Sequence, residues 1–212
     1  MRWVLHLSLL LICSGCDSSS RIDQLQKSFD SAYRELALPS QQAAAPVELT
    51  RWDSLLRTYR LQLEETPAVG EEAERQWRSL QHRLIVLEEQ IEAYRHRPAL
   101  YNLGGILQQT LSRKYVPLTQ RLERIQGLLQ RSPAYYRQAV HNLQQVTDSE
   151  ARLCIEKQSL GIKFLEYTLQ DSLQKAGWPT ERKAAFRADM EEARRALNAY
   201  RRHCAHLFKY SE

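Results

Sequence analysis

The chain has 212 residues, of which 43% are hydrophobic and 26% charged, and a net charge of +5. That length suits one good core and is marginal for two domains, and that composition excludes an intrinsically disordered chain. Acidic and basic residues alternate along the whole sequence, so no concentrated basic face of the kind nucleic acid requires is expected.

Only 7 glycines and 7 prolines occur in the chain, which favours long helices with few turns. Residues 1–15, MRWVLHLSLLLICSG, have the build of an export leader, with Arg2 ahead of an apolar stretch from Val4 to Ile12. The stretch is shorter than the roughly 20 apolar residues that span a bilayer. Small Ser14 and Gly15 precede Cys16, a pattern that resembles the lipobox of bacterial lipoproteins, although Cys13 stands where most lipoboxes carry leucine. The expectation is cleavage before Cys16 and acylation of its thiol. Several acyl chains at about 0.8 kcal/mol per buried methylene then hold the protein on a bilayer. Residues 16–20 form a lipidated cysteine with a polar tether. An aspartate directly after the cysteine resembles an inner-membrane retention signal in some lineages, and both membranes stay open.

Residues 21–212 read as a single helical domain. Ile22, Leu25, Phe29, Tyr33 and Leu36 recur at steps of 3 and 4, one stripe of an amphipathic helix. Pro39 to Pro46 makes a loop. A second helix starts near Val47 on Leu49, Trp52, Leu56, Tyr59 and Leu63, and Thr66-Pro67 through Gly70 closes it. A third follows Ala73, Trp77, Leu80, Leu84, Leu87, Ile91 and Tyr94, a heptad-like seam that suits a bundle or a coiled coil.

Leu100 to Arg113 is helical but holds Gly104-Gly105, which cost about 2 kcal/mol of helix propensity against alanine. A break or a close helix contact is expected there. Pro117 opens the next helix, with Leu118, Leu122, Ile125 and Leu129 inward. Ser132-Pro133 has the form of a cap and first residue of another, whose stripe is Tyr136, Val140 and Leu143. One long helix then runs from about Asp148 to Ala176 on Ala151, Ile155, Gln158, Ile162, Leu165, Leu169 and Leu173, stopped by Gly177. The last begins near Thr180 and follows Phe186, Met190, Ala193, Leu197, Tyr200, Cys204 and Leu207. No stretch alternates with period two. The expected fold is all-α, an elongated bundle of about six to eight helices after a cleaved signal peptide.

Sites are sparse. His203, Cys204 and His206 invite a zinc reading, but Cys204 lies on the core seam with both histidines flanking it, so the three do not converge, and no metal ligand is assigned. Cys154 and Cys204 fit either a disulfide between the last two helices in an oxidising compartment or two small buried apolar side chains. Glu88, Glu89, Glu191 and Glu192 sit among arginines as a solvated surface. Tyr101, Tyr135, Tyr136 and His141 line a groove in one reading, and core or rim packing explains the tyrosines equally well. No phosphate loop, nucleophile elbow or His-Glu-x-x-His string occurs. No cofactor and no catalytic residue is assigned.

Pro98-Ala-Leu-Tyr-Asn-Leu-Gly-Gly, Leu118 to Ile125, Ser132-Pro133-Ala-Tyr-Tyr-Arg-Gln-Ala-Val-His-Asn-Leu143, and Ala151 to Leu165 resemble the helical N-terminal half of a bacterial family of unknown function. Its members are similar to zinc peptidases, and many are secreted or lipid-anchored. The resemblance spans residues 50 to 205. That family's catalytic half carries His-Glu-x-x-Pro-Gly-His, which this sequence lacks, so the resemblance implies the non-catalytic helical part alone and transfers no catalytic residue. The expected role is therefore non-enzymatic: a lipoprotein held on the bilayer through Cys16, serving envelope structure or contact with an envelope protein. The alternative is a ligand- or metal-binding peptidase-like protein with its site near the tyrosines.

Overall fold

A computed structural model describes residues 20–36 and 48–209. The leader, Cys16, the tether up to residue 19 and the loop from Pro39 to Pro46 lie outside the described residues. All regular structure described is helical. The elements are α1 over residues 20–36, α2 over Leu49–Glu64, α3 over Glu71–His96, a 3-10 turn over Pro98–Leu100, and α4 over Leu103–Ser112. Then follow α5 over Leu118–Asn142, α6 over Asp148–Lys163, a π segment over Phe164–Leu169, α7 over Gln170–Lys175, and α8 over Thr180–Lys209. They form two compact units, the first ending at Glu92 within α3 and the second taking up the chain from Ala93.

The first unit is built on the seams legible in the sequence. Ile22 and Phe29 of α1, Leu49, Trp52, Leu56, Tyr59 and Leu63 of α2, and Ala73, Leu80, Leu84, Leu87 and Ile91 of α3 are all buried. The ring of Phe29 meets Tyr59 edge-on at 5.2 Å, and Tyr33 meets Trp52 at 5.7 Å. Trp77 is only half-buried, and its indole N–H donates to the Leu63 carbonyl at 3.1 Å. That carbonyl, in the last turn of α2, also accepts the Thr66 N–H at 3.2 Å. The turn into α3 uses Gly70 at φ +97, a conformation that costs glycine little and other residues more. Arg60 grips Glu88 with both guanidinium nitrogens, at 3.0 and 2.5 Å.

The second unit packs α4, α5, α6 and α8 around one interior. Gly104 and Gly105 do not break the chain. They form the first turn of α4, where the Asn102 side chain accepts the Gly105 N–H at 3.0 Å. They also permit a close helix approach, since a Cβ on Gly104 would lie 2.5 Å from the Gly161 Cα on α6. Cys154 of α6 and Cys204 of α8 are disulfide-bonded, with Cα atoms 6.5 Å apart and both residues fully buried.

Two expectations need correction here. No helix begins at Ser132-Pro133; α5 runs unbroken through them. Proline has no N–H for the carbonyl of Leu129, four residues earlier, but the buried Ser132 hydroxyl donates to that same oxygen at 2.6 Å. The continued helix carries Ser132, Tyr135, Tyr136, Ala139 and Asn142 inward and leaves Val140 37% exposed. Secondly, the long helix from Asp148 is not uniformly α. It widens into the π segment over Phe164–Leu169 before α7, which buries the adjacent pair Phe164 and Leu165. Ala176 then leaves the helix in an extended conformation.

Candidate functional site

The tyrosines read as a possible wall of a groove are brought together, but inside the second unit. Tyr101, Tyr135 and Tyr136 are 0%, 4% and 3% exposed. Tyr101 is positioned directly after the 3-10 turn, and Tyr135 and Tyr136 by the continuous α5. Their rings touch edge-on, Tyr101 to Tyr135 at 6.0 Å and Tyr135 to Tyr136 at 5.1 Å. His141 is not with them: it is exposed on α5 and lines no groove described below. The tyrosines therefore form a packed aromatic core with His141 outside it, and Tyr136 also reaches one of the surface depressions described below. The reason is helical geometry. Position 141 lies between Val140 and Asn142, and only Asn142 falls on the inward face.

Three further residues complete the cluster. Tyr200 of α8 lies 4.8 Å from Tyr136, ring to ring, and its hydroxyl donates to the Pro98 carbonyl at 2.9 Å. Gln158 of α6 accepts from the Tyr136 hydroxyl at 2.7 Å and donates to the Tyr101 carbonyl at 2.9 Å. Asn142 donates to the Tyr101 hydroxyl at 2.9 Å, and that hydroxyl donates in turn to the Tyr94 carbonyl at 3.2 Å. Gln158 had a legible signal, as the one polar residue on an otherwise apolar stripe. Asn142 had none, because its register depends on α5 passing through Pro133.

This network sets the chemistry. Burial pushes the phenols of Tyr101, Tyr136 and Tyr200 well above the ordinary tyrosine range, against the smaller opposing effects of the Asn142 and Leu103 hydrogen bonds at Tyr101 and Tyr136. Tyr135 is raised by burial and then by its tyrosine neighbours. All four stay neutral at physiological pH, and three have their hydroxyls committed to hydrogen bonds. They stabilise a fold and are not poised as bases or nucleophiles.

Two shallow surface depressions flank this core. One, of about 510 Å³, lies between α5 and α8, lined by Pro133, Tyr136, Val140, Ala196, Ala199 and Tyr200 together with Arg137, Glu192 and Arg195. The other, of about 420 Å³, lies beside the π segment, where Arg194 pairs with Glu191 at 2.8 Å and with Glu166 at 3.5 Å. Neither is lined by a serine, cysteine or histidine. At the end of α8, the sulfur of Cys204 is taken by Cys154. Burial, and then neighbouring His206, lower the pKa of His203. Among the described residues no group of three or more His, Cys, Asp or Glu side chains is placed to hold a metal ion.

No protein-family model matches the chain, and no curated protein does. Among solved structures, it is similar to a provisionally assigned lipoprotein of unknown function from Shewanella oneidensis, at 16% identity and a TM-score of 0.66. The likeness covers 90% of this chain and 38% of that one, so this chain spans well under half the length of its structural relative. At that identity, what the two share is the fold.

Proposed function

We propose that this chain is a bacterial lipoprotein, anchored at the cell envelope by acyl groups on Cys16, whose helical bundle acts through protein contacts and not through catalysis. The observation that carries this reading is the leader, an Arg2-led apolar segment ending in Ser14-Gly15 before Cys16. Three others support it. The buried Cys154–Cys204 disulfide suits a protein that folds in an oxidising compartment. No described helix is long and apolar enough to cross a membrane, and in this reading the lipid supplies the attachment. The structural relative from Shewanella oneidensis is itself a provisionally assigned lipoprotein. The buried, neutral tyrosine network argues for a scaffold.

The test is metabolic labelling with a palmitate analogue in a bacterial host. The parent chain takes up label and loses residues 1–15. Cys16→Ala takes up none and keeps the mass of the precursor. Label that persists in Cys16→Ala, or a parent chain recovered from the cytosol with Met1 attached, overturns the proposal.

A further inference from the structure

The outward face of α6 and the π segment carries three large apolar side chains that the described residues leave exposed. Leu153, Leu160 and Tyr167 are 40%, 58% and 71% exposed. They recur every seven residues, the period of a helix seam that meets another helix. At about 1.5 Å per residue the α-helical part of the row, from Leu153 to Leu160, is roughly 10 Å long, and the π segment carries it on to Tyr167. Four charged, exposed residues run beside it in the order Arg152, Glu156, Lys163, Glu166. With 3.6 residues per turn, Arg152, Glu156 and Lys163 project to the same side of the line through Leu160 as Ser159, which Arg201 of α8 reaches, and Glu166 in the π segment is held to that side by Arg194 of α8.

Their order is what identifies the occupant. Reversed about Leu160, the series plus, minus, plus, minus becomes its own complement. A second copy laid antiparallel, with Leu160 on the twofold axis, sets Glu156 against Lys163 and Arg152 against Glu166, each pair occurring twice. Leu153 then meets Tyr167 across the axis, and Leu160 meets itself. In a parallel pair the twofold runs along the helices and carries the charged row to opposite flanks, so these four residues do not meet and the complementarity is lost. A patch that is complementary to itself under a twofold is the requirement of an isologous interface, and an unrelated partner would impose no such symmetry. Among the described residues, Glu156 and Lys163 make no ion pair within the chain, whereas Glu166 also pairs with Arg194.

We propose that this face is the interface of a homodimer, with two α6 helices packed antiparallel about Leu160. The proposal stands whether or not Cys16 is acylated, so it is tested on the purified full chain carrying Cys13→Ser and Cys16→Ala, which leaves the disulfide-bonded Cys154 and Cys204 as its cysteines. Under mild oxidation, Leu160→Cys gives a dimer band on non-reducing gels that its parent does not. Leu153→Cys and Tyr167→Cys are inert alone and crosslink when mixed. By sedimentation, Glu156→Lys weakens self-association about tenfold, since it sets lysine against lysine twice. Adding Lys163→Glu restores it. Helix content by circular dichroism stays at the parent level throughout, because every substituted side chain is exposed. A parent chain that is monomeric at every concentration tested overturns the proposal. So does crosslinking of Leu153→Cys or Tyr167→Cys to itself, which marks a parallel pair, or a face that partitions onto vesicles without self-association.

Discussion

Inside α5, the carbonyl of Leu129 faces a residue with no proton to give, and the Ser132 hydroxyl supplies one in its place at 2.6 Å. A buried acceptor left without a partner costs about 1–3 kcal/mol, more than the net worth of an ordinary hydrogen bond. Ser132→Ala should therefore destabilise the protein by that amount in urea unfolding, although it removes a single oxygen. Pro133→Ala returns a backbone N–H to the same carbonyl, so Ser132→Ala made in that background should cost well under 1 kcal/mol. Equal losses in the two backgrounds would show that the hydroxyl does not substitute for the missing N–H. This is also why sequence misled at this point. Ser-Pro is a sound local signal for a helix start, and only the spacing of hydroxyl to carbonyl in the folded helix reveals the opposite use.

At the scale of elements, periodicity was informative wherever one face of a helix decides burial. Apart from the half-buried Trp77, the seam from Ala73 to Ile91 and the row from Phe186 to Cys204 are buried as their 3-and-4 spacing implies. Pairing between elements was less legible. Gly104 and Gly161 lie 57 positions apart and meet backbone to backbone, and nothing in either local sequence names the other. Their contact yields a sharp contrast with a third glycine. Gly104→Ala drives a Cβ to 2.5 Å from the Gly161 Cα, and separating α4 from α6 should cost about 1–3 kcal/mol. At Gly127 in α5, an added Cβ meets only the Arg131 side chain at 3.6 Å, so Gly127→Ala should gain about 0.5–1 kcal/mol from helix propensity. Thermal unfolding of both variants checks this, and a Gly104→Ala protein as stable as the parent would mean that the helices are not held at that distance. Of Tyr101, Tyr135, Tyr136 and His141, Tyr136 lines the depression between α5 and α8 while Tyr101 and Tyr135 pack inside, for a related reason. Tyrosine is amphipathic, and whether it lines a cleft or fills a core depends on partners such as Gln158 and Tyr200 that arrive from remote helices.

For the whole molecule, the tyrosine network concentrates the stability of the second unit in groups that must remain protonated. It joins the end of α3, the 3-10 turn, α5, α6 and α8 through Tyr94, Pro98, Asn142, Gln158 and Tyr200. An unfolded phenol ionises near 10.0, and burial raises Tyr101, Tyr135, Tyr136 and Tyr200 above that value in the fold. The sign follows from linkage. The folded state binds these protons more tightly, so their contribution is complete below about pH 10 and is lost as pH climbs past it towards the folded values. Helix content followed by circular dichroism should hold to about pH 10 and then fall, and tyrosinate absorbance near 295 nm from the buried four should rise only with that loss. Tyr135→Phe sharpens the test, because the Tyr135 hydroxyl has no hydrogen-bond partner among the described residues. Removing it should leave stability near neutral pH almost unchanged and move the alkaline midpoint upward, since one fewer buried phenol must stay protonated. Four phenols that titrate near pH 10 with the helices intact would place them at an open, solvated groove, and the buried network would have to be abandoned.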